Sequence, residues 1–172
     1  MNIRIFLLTL ILIAPAVLPA QTNDRARYVN YKYKAAVPST LLPNGVKHLG
    51  GALIGDIEAD PVYGISQVER GRTKMLWLEA STGQDATGVT GWMVLDVISF
   101  PQTSTLDHIY IYGDPAVGCR RGGKEIENLV GIGRIVRRQR VFRPAKLWVA
   151  SIATKRFEPV ALDGVKCEYS EP

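Results

Sequence analysis

Between residues 134 and 146 the chain carries six cations, Arg134, Arg137, Arg138, Arg140, Arg143 and Lys146, and no carboxylate. Guanidinium groups present a rigid fork of donors that matches phosphate, sulfate or carboxylate bidentately, so several on one face amount to anion-binding chemistry. Arg138 and Arg140 are two residues apart and share a face if the segment is extended. The competing reading is a solvated face that steers anionic partners without holding one. Phe142 and Trp148 are the aromatic neighbours, too few for base stacking, so nucleic acid is not an expected partner.

Acid–base chemistry would have to come from Glu79 and Asp96. Each stands in an apolar run, where burial raises a carboxyl pKa, and glycoside hydrolysis needs two such groups facing each other about 5–5.5 Å or 6.5–9.5 Å apart. Side chains of a strand face water equally well, and spacing alone does not set that distance. Asp56, Glu58 and Asp60 alternate, as ligands of a hard cation on an extended segment would. Pro61 replaces the glycine of a calcium loop and Gln67 its bidentate glutamate, so a polar rim around an Asp60-Pro61 turn is expected and no metal. Of the two histidines, His48 has no evident partner, and His108 adjoins Asp107, which on a strand points to the opposite face. There is no Gly-x-Ser-x-Gly elbow, and Gly131-Ile-Gly133 has Val136 where a dinucleotide fingerprint needs its third glycine. The expectation is therefore no catalytic residue and no cofactor. The only two cysteines, Cys119 and Cys167, are expected to form a disulfide.

The elements that must position these groups are strands. Residues 21–35 open polar and partly frayed, then alternate as a marginal strand, with Tyr31 and Tyr33 opposite Lys32 and Lys34. From 38 to 71 the breakers are dense (Pro38, Pro43, Asn44-Gly45, Gly50-Gly51, Gly55, Gly64, Gly71), which predicts an irregular lobe without a long helix. Thr73–Ala80 and Gly91–Phe100 read as two strands of a long hairpin joined by a Gly-rich connection. Further strands are predicted at 106–112, 128–136, 146–152, 156–162 and 165–169, and residues 134–143 are ambiguous between strand and a short helix. The fold class is thus mainly β: one small antiparallel β-sandwich or partly open barrel with an irregular Gly/Pro-rich N-terminal lobe.

Residues 1–20 pair Arg4 with an apolar stretch of about ten residues, Pro15 and a small Ala20, the form of a secretory signal and too short for a transmembrane anchor. This divides the chain of 172 residues into a leader (1–20) and a single domain (21–172). With 47% apolar and 22% charged residues, that domain has an ordinary globular composition. The net charge of +5, or +4 without Arg4, belongs to the C-terminal part, since residues 21–106 hold equal numbers of acids and bases.

Trp77-Leu-Glu with Thr82-Gly-Gln-Asp, then Gly88-Val-Thr-Gly-Trp-Met-Val-Leu-Asp-Val97, Asp114-Pro and Lys146-Leu-Trp-Val-Ala, resembles a family of small exported proteins of unknown activity in photosynthetic bacteria. The resemblance spans residues 70–169 and implies no substrate, cofactor or catalytic residue. The sequence therefore points to an exported, periplasmic or extracellular domain with a binding or structural role at the cell envelope. Its expected partner is an anionic lipid or glycan met through residues 134–146; the alternative is a small hydrolase using Glu79 and Asp96.

Overall fold

Every residue from Met75 to Ala80 is buried, a pattern that a strand shows only when both faces of its sheet are covered. The computed structural model, which describes residues 21–34, 42, 45–101 and 107–170, supplies both covers. The proposed leader lies outside the described residues.

After a helix α1 (Gln21–Tyr28), five strands form the first sheet: β1 (Lys32–Lys34), β2 (Val46–Ile54), β3 (Tyr63–Arg70), β4 (Thr73–Gln84) and β5 (Thr90–Pro101). Their order is β1-β5-β4-β3-β2, antiparallel throughout. The second sheet contains β6 (Asp107–Ile111), β7 (Val117–Arg121), β8 (Lys124–Glu125), β9 (Leu129–Val136), β10 (Val141–Ser151), β11 (Arg156–Val160) and β12 (Val165–Tyr169). It runs β6-β9-β10-β12-β7-β8, with β11 also on β10, and curls into a half-barrel. The protein is mainly β, a sandwich whose second layer is partly rolled.

Three apolar clusters follow from this geometry. Between the sheets, Ile65, Leu76, Leu78, Ile98 and Phe100 meet Ile109, Val130, Ala150 and Phe157. Inside the curl of the second sheet lie Tyr110, Leu129, Phe142, Leu147 and Tyr169 with the disulfide Cys119–Cys167, whose cysteines are directly opposite on β7 and β12. The outer face of the first sheet buries Met75, Trp77, Val94 and Val97 under Tyr28 of α1, with Tyr31 and Tyr33 packed alongside. Trp77 is the largest of these; burying about 200 Å² of an aromatic at roughly 25 cal/mol/Å² contributes about 5 kcal/mol before entropy is counted.

Three expectations are corrected. The described part of 38–71 is not an irregular lobe but the hairpin β2–β3, paired from Val46↔Arg70 to Ile54↔Tyr63. Its glycines serve the pairing: the register shifts between His48 and Gly50, Gly50 adopts φ 145°, and a Cβ on Gly51 would collide with the Ile65 carbonyl. An edge strand accommodates such a bulge where a central one would not. The opening of 21–35 is helical rather than frayed. Asp24 accepts a hydrogen bond from Ser99 Oγ (2.9 Å), Tyr28 is buried, and Asn30 at φ 69° turns the chain into β1. The β4–β5 connection is also shorter than expected, because the Asp85 carboxylate accepts from Thr87 N–H, Thr87 Oγ1 and Val89 N–H and closes a tight turn.

Candidate functional site

The six cations sit at one hairpin tip. Residues 129–136 and 141–151 pair as β9 and β10, and Arg137–Gln139 form a single 3-10 turn between them that ends at Arg140 in the left-handed conformation (φ 51°). This resolves the ambiguity of 134–143: neither a helix of two turns nor an extended segment on which Arg138 and Arg140 share a face. A 3-10 turn fits the three residues between paired strands, and Tyr169 N–H on the Arg140 carbonyl (2.9 Å) ties it to β12.

All six side chains are exposed. Arg134 and Arg143 are directly opposite across the ladder and therefore project from the same face. Lys146 joins that face because β10 bulges between Pro144 and Lys146, so that Lys146 registers with Ile132, two residues from Arg134 on β9. Gly133 makes this possible: a Cβ there would strike the Arg143 carbonyl and the Pro144 backbone. Arg143 also donates to Gln139 Oε1 (2.7 Å), which holds its guanidinium beside the turn. Two carboxylate-bearing residues border the patch by register, Asp107 opposite Arg134 and Glu168 opposite Val141. The arrangement can grip an extended anion along the hairpin, with Arg134, Arg143 and Lys146 on one face and Arg137, Arg138 and Arg140 around the tip.

Glu79 and Asp96 are both buried, at 2% and 4% exposure, but they do not converge. A register shift lies between them: Glu79 is opposite Val94, on the face of Trp77, whereas Asp96 is opposite Leu78, on the face toward the second sheet. Each is held by at least one partner far away in the chain. Tyr33 Oη donates to Glu79 Oε1 and Ser66 Oγ to Oε2, both at 2.8 Å. Burial pushes the Glu79 pKa up to about 7 despite these two donors, and burial together with the Glu79 charge holds the Tyr33 phenol well above its ordinary range. Asp96 Oδ1 accepts from Arg25 Nε and Val97 N–H, each at 2.9 Å, and Oδ2 from Phe157 N–H at 2.8 Å. Two carboxylates on opposite faces of a sheet cannot flank one glycosidic bond.

His108 does find a carboxylate: Nε2 lies 3.0 Å from Asp114 Oδ2, and Asp114 Oδ1 accepts from Ala116 N–H, so the pair braces the turn after β6. Asp56, Glu58 and Asp60 are exposed on the β2–β3 connection, where Asp56 Oδ1 accepts Glu58 N–H; no group of three metal-ligating side chains occurs among the described residues. Also among them, no helix is long and apolar enough to cross a membrane. Tyr33, Ser66 and Arg25, the partners of the two buried carboxylates, escaped the sequence reading; the only signal was the alternation that sets Tyr31 and Tyr33 against Lys32 and Lys34. Comparison with protein-family models, with curated proteins and with solved structures returns no match.

Proposed function

We propose that this chain is an exported, non-catalytic β-domain that holds an anionic polymer or lipid surface of the cell envelope against the tip of the β9–β10 hairpin. The observation that carries the reading is six exposed cations within thirteen residues, mounted on one paired hairpin, with no carboxylate in the segment itself. The hairpin register concentrates these charges, and guanidinium suits phosphate, sulfate and carboxylate alike. The disulfide supports the export part, since such bonds persist in oxidising compartments, as does the form of residues 1–20.

The test is retention on a sulfated glycan column and on vesicles containing phosphatidylglycerol, each over a salt series. Retention should fall as salt rises, because the Debye length shrinks to about 10 Å at 0.1 M. Arg138→Glu with Arg140→Glu should abolish most of it. Retention unchanged by that pair of substitutions would reject the hairpin as the contact surface, and the glycan and vesicle arms separate a polymer from a membrane partner.

A further inference from the structure

The Asp96 knot borders a cavity that the hairpin does not use. Where α1 crosses the junction of the two sheets, a groove of about 540 Å³ opens, lined by Arg25, Asp96, Thr154, Arg156, Phe157 and Glu158. That volume is in the range of small-molecule sites. Its floor is a buried carboxylate, Asp96, with both oxygens occupied: Arg25 Nε and Val97 N–H on one, Phe157 N–H on the other. Asp96 is therefore a buttress rather than a ligand group. It fixes the Arg25 guanidinium through Nε, on a side chain that remains 47% exposed. A guanidinium gripped by a carboxylate behind it and exposed in front is preorganised to take an oxyanion bidentately.

Arg156 lines the same groove and is exposed. Glu158, two residues on along β11, brings one negative charge to the same wall, and its Oε1 is positioned by Thr154 Oγ1 at 2.6 Å. With Asp96 and Arg25 compensating each other, the charge left for a ligand is one cation, Arg156, and one carboxylate, Glu158, while the Arg25 guanidinium still offers donors. A plain anion would meet repulsion from Glu158; a molecule bearing both charges would not.

We infer that this groove binds a small zwitterion, an amino acid or short peptide, with its carboxylate on Arg25 and Arg156 and its ammonium toward Glu158. The site is independent of the hairpin, whose cations are on other strands. The experiment is a two-dimensional amide and Arg Nε–H NMR titration of the protein with glycylglycine, N-acetylglycine (no ammonium) and glycinamide (no carboxylate). Glycylglycine should give saturable shifts at Arg25 Hε and the Phe157 amide, N-acetylglycine should bind about tenfold more weakly, and glycinamide should give none. Arg156→Ala should weaken glycylglycine at least about tenfold, and Glu158→Gln should bring it to the level of N-acetylglycine. Both residues are exposed, and the same spectra report whether each variant folds. Absence of saturable shifts with any probe, equal shifts from glycinamide, or an affinity unaltered by Arg156→Ala would overturn the assignment. Equal binding of glycylglycine and N-acetylglycine would overturn the zwitterion class.

Discussion

Replacing Glu79 by Gln should abolish the loss of stability between pH 4.5 and 8, and the size of the effect follows from the buried carboxyl. Its pKa rises from an ordinary 4.5 to about 7 because burial disfavours the charged form more than Tyr33 and Ser66 favour it. The folded chain thus holds this proton more tightly than the unfolded chain does. The resulting stabilisation is complete below pH 4.5 and is lost as pH rises through about 7. A gap of about 2.5 units at 1.36 kcal/mol each amounts to about 3 kcal/mol, nearly all of it lost by pH 7.5. Gln keeps the shape and an acceptor for one hydroxyl but carries no titrating proton, so the variant should lose none of its stability over that window. The assay is urea unfolding followed by tryptophan fluorescence at steps from pH 4.5 to 8. With a slope of about 2 kcal/mol/M, the wild-type midpoint should fall by about 1–2 M relative to that of the variant. Wild-type and Glu79→Gln midpoints that move in parallel, or a wild-type midpoint that climbs toward pH 8, would refute the reasoning.

Two further outcomes test the frame. Replacing Cys119 and Cys167 together by Ser opens a link between residues 48 apart, and chain entropy predicts a loss of about 4 kcal/mol in the same urea assay. Gly133→Ala forces a methyl group into the Arg143 carbonyl and the Pro144 backbone, which should cost about 1–3 kcal/mol by thermal melting and weaken anion retention as the register yields. Gly118→Ala, where a Cβ meets nothing within 4 Å, is the neutral control.

What could be read in the sequence was whatever the chain settles locally. The apolar run Met75–Ala80, the β-branched stretch of β5 and the alternation in β6 declare strands because side-chain burial repeats along them. Two cysteines, the smallest even number, behind a stretch with the form of a secretory signal suggested a bridge, and Cys119 and Cys167 form one. The hairpin β2–β3 was hidden because Gly50 and Gly51 look like breakers until the pairing is seen: Gly50 takes the positive φ at the bulge and Gly51 allows the close approach of the Ile65 carbonyl. Helix α1 was hidden for the opposite reason: its residues are polar, and what holds it is remote, through Arg25 to Asp96 and Tyr28 to Trp77. The same remoteness concealed the carboxylates. Glu79 is satisfied by a tyrosine 46 residues away and Asp96 by an amide 61 residues away, so neither burial nor opposite faces follow from local pattern. The cationic cluster was legible as composition, while its mounting on a 3-10 turn depended on the β9–β10 register.

The hairpin claim is tested most directly by equilibrium binding to phosphatidylglycerol-containing vesicles, and in parallel to a sulfated glycan, over a salt series, for the wild type and for Arg138→Glu with Arg140→Glu. Each basic residue near an anionic surface is worth about 1 kcal/mol, so reversing two should lower affinity at least about tenfold for the true partner and flatten its salt slope. Affinities and slopes that coincide for the two proteins on both surfaces would contradict the account.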